Sequence, residues 1–179
     1  WVRRALELFD AHPEMVYLGA HHSMDILPRD PAPEGGEADW TVDGDLQSIA
    51  GVFKQRMIML DERHDAFQFV MATVRSPVFI RRKEFLEIGG FDLDFAPFIG
   101  DDVDNCIRIW QAGYKVGVFN VKFRRDIGLG GMRAFNKASF GPQTIRNWHR
   151  IYQKHVAAIA DGSVRAKVEE ANRGLRVDR

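Results

Sequence analysis

The chain has 179 residues, of which 45% are hydrophobic, so it can bury one sizeable core. Its 25 basic and 25 acidic residues give a formal charge of zero, which argues against nucleic acid or an anionic membrane surface as a partner. The single cysteine, Cys106, excludes an internal disulfide and fits a reducing cytosol. No apolar run reaches the roughly 18 residues that span a bilayer. We therefore expect a cytoplasmic location, which is compatible with peripheral association at the cytoplasmic face of a membrane.

The first half of the chain alternates helices and strands. An amphipathic helix runs to about Ala11, and an apolar strand follows at Met15–Ala20. Residues 28–44 are rich in proline, glycine and acidic side chains, which predicts a loop. Residues 45–59 have helical periodicity, and residues 66–74 are mostly extended. This alternation predicts an α/β fold.

Two short motifs in this half resemble metal sites in composition. Asp43-Gly44-Asp45 spells Asp-x-Asp, but it follows a loop and precedes the predicted helix, which favours a turn with a helix cap. His21 and His22 are neighbours at a strand end, where adjacent side chains point to opposite faces. We therefore assign a metal to neither motif.

A short strand and a short helix open the second half. Val78–Ile80 reads as a strand, residues 82–88 as a helix, and the pair Gly89-Gly90 as its end. Phe91 and Asp92 complete a Gly-Gly-Phe-Asp motif. This motif therefore connects two predicted helices.

The next helix carries a carboxylate pair in its first turn. Its apolar face follows the spacing i, i+3, i+4 and i+7: Val103, Cys106, Ile107 and Trp110. Four polar residues are expected to point away from that face: Asp104, Asn105, Arg108 and Gln111. Asp101 and Asp102 stand at the positive end of the helix dipole, which favours the charged form of each by roughly 0.3 to 1 kcal/mol. An ionised pair suits a site that handles a metal or sugar hydroxyls, although aspartate is also a common helix cap.

A strand from Val116, interrupted at Asn120, then leads to a basic, glycine-rich loop. The loop holds Arg124, Arg125, Asp126, Gly128, Gly130 and Gly131. Arginines bind phosphate oxygens, often bidentately, and glycines let backbone N–H groups approach closely. The loop therefore suits a diphosphate, and a glycine turn beside ordinary surface arginines is the alternative interpretation.

The last predicted elements are a long helix and a charged tail. The helix runs from Gln143 to about Ala160, and its apolar stripe comprises Ile145, Trp148, Tyr152, Val156 and Ile159. Residues 161–179 form a charged helix or tail. We expect the long helix to serve mainly in packing.

Taken together, Gly-Gly-Phe-Asp, the run Gly100–Asp104, Arg108 and Ala112-Gly113-Tyr114 resemble the second half of a family 2 glycosyltransferase with the GT-A fold. The matching core runs from about residue 76 to residue 126, and the family usually has Glu-Asp where this chain has Asp101-Asp102. The resemblance implies an α/β domain with a mixed sheet flanked by helices, of which residues 1–160 are the acceptor-side part. It also implies that the nucleotide-binding part, with its Asp-x-Asp metal motif, precedes Trp1.

The resemblance implies an inverting transfer of a sugar from a nucleotide-diphosphate donor to a hydroxyl of a glycan, lipid-linked or protein acceptor. Asp102 matches the general base, and Asp101 supports it. The acceptor pocket is then shaped by Gly89, Gly90, Phe91 and Asp92, and the diphosphate is contacted by Arg124, Arg125, Gly128 and Gly130. Where the family often has a histidine metal ligand this chain has Asp126, whose carboxylate suits Mg²⁺ or Mn²⁺.

The resemblance also extends to the long helix, where Arg146-Asn147-Trp148 and Tyr152–His155 resemble elements that often end family 2 domains, with His155 in place of the usual aromatic residue. Two other functions stay open. In the first, the chain is a non-catalytic binding or scaffold module, and the Asp101-Asp102 pair only caps a helix. In the second, the chain is a metal-dependent phosphoesterase. The phosphoesterase cluster would comprise Asp101, Asp102, Asp104 and Asp126.

Overall fold

The structure is a computed structural model that describes residues 1–20, 22–28, 42–43, 46–49, 53–60, 66–73, 77–97, 99–121 and 137–177. Its helices α1 to α5 cover Val2–Ala11, Arg82–Glu87, Asp101–Gln111, Lys137–Ala160 and Ser163–Val177. A 3₁₀ turn covers Leu93–Phe95. Strands β1 to β9 cover Met15–Ala20, His22–Pro28, Val42–Asp43, Leu46–Ile49, Phe53–Met59, Phe67–Phe69, Ala72–Thr73, Val78–Ile80 and Lys115–Phe119.

The first sheet is mixed and has the strand order β6-β9-β1-β8. β1 and β9 are parallel, with Leu18 opposite Gly117 and Ala20 opposite Phe119. β8 and β6 pair antiparallel at the two edges. β1 is buried along its whole length, which explains why its sequence is continuously apolar rather than alternating. The predicted mixed sheet flanked by helices is confirmed.

The second sheet is antiparallel, in the order β3-β4-β5-β2-β7, and it corrects the prediction of a helix over residues 45–59. β4 and β5 occupy most of that segment. β5 pairs with β2 over seven positions, from His22 opposite Met59 to Pro28 opposite Phe53. This non-local pairing outweighs the local helical periodicity. Within the predicted loop, Val42–Asp43 form β3, while residues 29–41 and 44 lie outside the described residues.

α3 packs against strands of both sheets and against two helices. Its partners are β1, β7, β9, α4 and α5. Cys106 is buried without exposure, as expected, and burial raises the pKa of its thiol. Asp104 and Asn105 are also fully buried, so the prediction that they point away from the core is wrong. The physical reason is that α4 covers the polar side of α3 as well.

α4 differs from the predicted long helix in its start and in its buried face. It begins at Lys137 rather than Gln143, with Pro142 inside it. Tyr152, placed in the apolar stripe by the sequence, is 38% exposed. The buried face instead comprises Thr144, Asn147, Trp148, Ile151, His155 and Ile159. Half of these residues are polar, which is why hydrophobic periodicity alone gave the wrong face.

α5 covers most of the segment predicted as a charged helix or tail. Its Val164, Val168 and Ala171 are buried and belong to the same hydrophobic core as the first sheet. Asn172 fixes α5 to β6, because it accepts a hydrogen bond from Phe69 N at 2.9 Å and donates one to Phe69 O at 2.8 Å. None of the helices in the described ranges combines the length and apolar composition needed to cross a bilayer.

Candidate active site at the start of α3

The start of α3 lies at the edge of the first sheet where the parallel strands end. The short connection Ala112–Tyr114 joins the end of α3 to the start of β9. A helix and a strand of these lengths each extend about 16 Å. The start of α3 therefore returns to the carboxyl end of β9. Open α/β sheets bind their ligands at this edge.

Asp101 and Asp102 occupy the first turn of α3, as predicted, and both are half-buried. The N-cap residue is Gly100, with φ of 94°, and no side chain makes a capping hydrogen bond there. Neither aspartate therefore occupies the capping position. The helix dipole favours negative charge at this end of α3.

The backbone just before this turn has an uncommon conformation. Ile99 has φ of 70°, which costs a β-branched residue on the order of 1–3 kcal/mol. Asn147 of α4 donates through Nδ2 to the carbonyl of Phe95 at 3.0 Å and to the carbonyl of Ile99 at 2.6 Å. Because Asn147 is fully buried, water does not compete for these two hydrogen bonds. They hold the loop that leads into Asp101 and Asp102.

In the same first turn of α3, the fully buried carboxylate of Asp104 contacts three basic side chains. Its Oδ1 is 2.6 Å from Lys154 Nζ and 2.8 Å from His155 Nε2, and its Oδ2 is 2.9 Å from Arg108 Nε. Burial by itself would raise the pKa of Asp104, but the hydrogen bonds from His155, Lys154 and Arg108 outweigh burial and lower the pKa to about 2. Asp104 is therefore a permanently ionised structural anion at neutral pH.

The proton of His155 is best placed on Nε2. Nδ1 of His155 is buried and has no hydrogen-bond partner, so a proton there would be left unsatisfied. With the proton on Nε2, His155 donates a hydrogen bond to Asp104 Oδ1. Arg108 and Lys154 then supply the positive charge.

Arg108 and Lys154 connect Asp104 to the Gly-Gly-Phe-Asp segment. Arg108 donates to the carbonyl of Ile88 at 2.7 Å and also to the carbonyl of Gly90. Lys154 donates to Oδ2 of Asp92 at 2.8 Å, and this hydrogen bond is the main reason why the pKa of Asp92 is lowered. The segment expected to shape an acceptor pocket is thus held to α3 by two cations.

The four residues of that segment have identifiable structural contacts. Gly89 and Gly90 end α2, because their N–H groups donate to Leu86 O and Phe85 O at 3.0 and 2.9 Å. The ring of Phe91 packs edge-on against Phe85 with centroids 5.0 Å apart. Asp92 caps the 3₁₀ turn by accepting from Asp94 N at 2.9 Å. Their assignment to an acceptor pocket stays a prediction.

The predicted diphosphate and metal residues fall outside the described residues. These are Arg124, Arg125, Asp126, Gly128 and Gly130. In the described ranges no group of three or more His, Cys, Asp or Glu side chains is arranged to hold a metal ion. Both oxygens of Asp104 are already bound by cationic or N–H donors, so its carboxylate does not fit the metal cluster of the phosphoesterase interpretation.

The sequence analysis named Asn147, Lys154 and His155 by resemblance but did not predict their contacts with the start of α3. Asn147, Lys154 and His155 all reach α3 or the loop before it. The available signal was the helical spacing of Thr144, Asn147, Ile151 and His155, which places polar residues on one face together with Ile151. Comparisons of the chain with protein-family models, with curated proteins and with solved structures found no match.

Proposed function

We propose that the chain is the acceptor-side part of an inverting glycosyltransferase and that Asp102 is its general base. The observation that carries the proposal is the half-buried Asp101-Asp102 pair, which lies in the first turn of α3 at the carboxyl edge of the parallel strands without capping the helix. Ligands of α/β sheets bind at this edge, and the helix dipole favours negative charge there. An ionised carboxylate in such a place can accept a proton from a bound hydroxyl.

In the proposed reaction Asp102 takes the proton of the acceptor hydroxyl as the oxygen attacks the anomeric carbon. The bond between that carbon and the donor's diphosphate oxygen breaks on the opposite face, and the nucleoside diphosphate leaves with the electron pair. Proton removal by a positioned carboxylate contributes on the order of 10² to 10⁴ in rate. A bound Mg²⁺ or Mn²⁺ would neutralise charge on the leaving diphosphate, and Asp126 remains the proposed ligand.

Asp102 is a better candidate for the base than Asp104, although both lie in the first turns of the same helix. Asp104 has no exposed surface, and its two oxygens are bound by Arg108, Lys154 and His155. Its pKa of about 2 also makes it a weak proton acceptor. Asp102 is half-buried, so part of the residue is exposed.

The proposed partners follow from this chemistry. They are a nucleotide-sugar donor and a glycan, lipid-linked or protein acceptor, and nucleic acid is not among them. The proposed location is the cytoplasm, including peripheral association with the cytoplasmic face of a membrane.

The test is turnover of a panel of nucleotide sugars, with Mn²⁺ or Mg²⁺, by the parent protein that contains this chain. We expect Asp102→Asn to lower kcat by about 10² to 10⁴ while the protein stays folded. Asp101→Asn should cost less, because Asp101 only supports the base. Asp10→Asn, which changes an exposed aspartate at the far end of α1, is the matched control and should leave kcat unchanged.

Three results would each overturn part or all of the proposal. Near-full activity of Asp102→Asn would remove the assignment of the base. A folded protein that turns over no donor would instead favour the non-catalytic binding or scaffold function. Metal-dependent hydrolysis of generic phosphoesters without sugar transfer would favour the phosphoesterase.

A further inference from the structure

We infer that α4 positions the proposed base, through a brace formed by Asn147, Ile151, Lys154 and His155. Its role in turnover rests on the proposed function, whereas its role in holding the start of α3 does not. None of its members is assigned to bind donor, acceptor or metal. They are positioning residues, because they act through the backbone and through Asp104.

The brace reaches α3 from three successive turns of α4. Asn147 donates to the carbonyls of Phe95 and Ile99 before the helix. Lys154, about two turns or 10 Å further along α4, reaches Asp104 inside the helix. The contacts therefore lie on both sides of Asp101 and Asp102 in the sequence.

Ile151 fills the space between these two polar attachments. It has no exposed surface and lies against Gly100, where a Cβ atom would come within 2.9 Å of Ile151 Cδ1. The loop before α3 therefore lies so close to α4 that a Cβ atom at residue 100 would clash with Ile151. This contact limits movement of residue 100 toward α4, while Asn147 limits movement away from it.

The loop needs such a restraint because its conformation is unfavourable by itself. Ile99 has positive φ, and a residue of this type returns to a common backbone conformation unless its surroundings prevent the change. Such a change would redirect the chain immediately before Asp101 and Asp102. A misplacement of about 1 Å in a reacting group is enough to lower turnover by about 10²-fold.

Asn147 is suited to this role by its amide. A single Nδ2 group has two N–H donors, and here it serves two carbonyls, while Oδ1 accepts from Gln143 Nε2 at 3.1 Å. An aspartate has nearly the same shape but would bring acceptors against both carbonyls. Asn147→Asp therefore removes the donors while it preserves the volume of the side chain.

The experiment uses the parent protein with Asn147→Asp, Lys154→Met and Lys154→Arg. Lys167→Met is the matched control, because Lys167 donates to Trp110 O at the other end of α3 and touches no part of the brace. The first readout is hydrogen–deuterium exchange of the backbone amides in residues 95–104, which requires no activity. The second is kcat and KM for the donor that wild type uses.

We expect Asn147→Asp and Lys154→Met to speed exchange in residues 95–104 by about tenfold or more and to lower kcat by about tenfold or more, with KM little changed. Lys154→Arg should recover most of kcat because it keeps a cation that reaches Asp92 and Asp104. Lys167→Met should leave both readouts within about twofold of wild type. If the brace only stabilised the fold, Asn147→Asp and Lys154→Met would lower thermal stability without changing kcat at permissive temperature.

The outcomes separate this inference from the proposed function. If wild type is active and Asp102→Asn is not, while both brace variants keep kcat, the inference is wrong and the proposed function stands. If wild type turns over no donor, the proposed function fails and exchange alone decides whether α4 orders the start of α3. Unchanged exchange in residues 95–104 would overturn the inference in either case. If Asn147→Asp does not fold, the partly exposed Lys154 carries the same test.

Discussion

The two ends of α3 satisfy the same helix-end requirements by different means. At the carboxyl end, Gly113 has φ of 87°, its N–H donates to Trp110 O, and the N–H of Tyr114 donates to Ile109 O. This is the Schellman arrangement that ends many helices. Lys167 adds a charged donor to Trp110 O at 2.9 Å. Ordinary helix termination therefore explains the polar groups at this end.

The amino end has more charge than termination requires. Gly100 takes the capping position, and three aspartates follow in the first turn. Asp104 is bound by cations from α3 and α4, so its role is structural. Asp101 and Asp102 are left half-buried at the edge of the sheet. The two ends of α3 therefore differ in charge: a glycine and one lysine serve the carboxyl end, whereas the amino end carries three aspartates.

A cleft of about 360 Å³ lies at the opposite, carboxyl end, lined in part by Trp110, Tyr114, Lys115, Lys167 and Gly174. Its size alone would admit a small ligand. However, Lys115 is paired with Glu14 at 2.6 Å, and Lys167 is bonded to Trp110 O. Since both lysines already have partners within the chain, we assign the cleft no ligand.

The largest expected effect on stability is at Asp104. Asp104→Asn would leave the partly exposed cations of Arg108 and Lys154 facing a neutral amide, and losing hydrogen bonds to a charged group costs about 1.5–3 kcal/mol. Denaturant unfolding of wild type and variant measures the loss. A loss below about 1 kcal/mol would mean that the charge at the amino end is as dispensable as surface charge.

The acid range provides an independent check of the same prediction. The pKa of Asp104 is lowered from 3.8 to about 2 in the folded state. Ionised Asp104 therefore contributes fully to the free energy of unfolding above about pH 4, and this contribution is lost as the pH falls toward 2. That contribution is on the order of 2 kcal/mol. The stability difference between wild type and Asp104→Asn should therefore narrow by about this amount between pH 5 and pH 2. A constant difference would contradict the assignment.

The two glycines at the ends of α3 give the next comparison. Both have positive φ, so an alanine costs about 1–2 kcal/mol at either position. At Gly113 nothing lies within 4 Å of the new methyl group, whereas at Gly100 it meets Ile151 Cδ1 at 2.9 Å. We expect Gly100→Ala to lose about 1–3 kcal/mol more than Gly113→Ala in denaturant unfolding. Equal losses of unfolding free energy in the two variants would show that residue 100 is not tightly packed against α4.

The amino-acid sequence was informative where structure depends on local signals. The apolar spacing and terminal glycine of α3 predicted the helix and the position of Asp101 and Asp102 in its first turn. The continuous apolar run of β1 likewise predicted a strand. β4 and β5 were missed because their pairing with distant strands outweighs a locally helical pattern.

The polar half of the site could not be predicted in the same way. Asp104 and His155 are 51 residues apart in the chain, and each is polar enough to be assigned to the surface by hydrophobicity. They are buried because each satisfies the other, together with Lys154 and Arg108. Such pairing is visible only once α4 is known to lie against α3.

The smallest predicted effect concerns the cleft at the carboxyl end. Gly174 lies inside α5, and an added Cβ would have no atom within 4 Å. Because alanine favours a helix interior over glycine, Gly174→Ala should raise the free energy of unfolding by about 0.5–1 kcal/mol. The methyl group also narrows the cleft. If the proposed transferase activity stays unchanged in this variant, it needs no occupant at the carboxyl end of α3. A loss of turnover with higher stability would instead favour a functional role for that end.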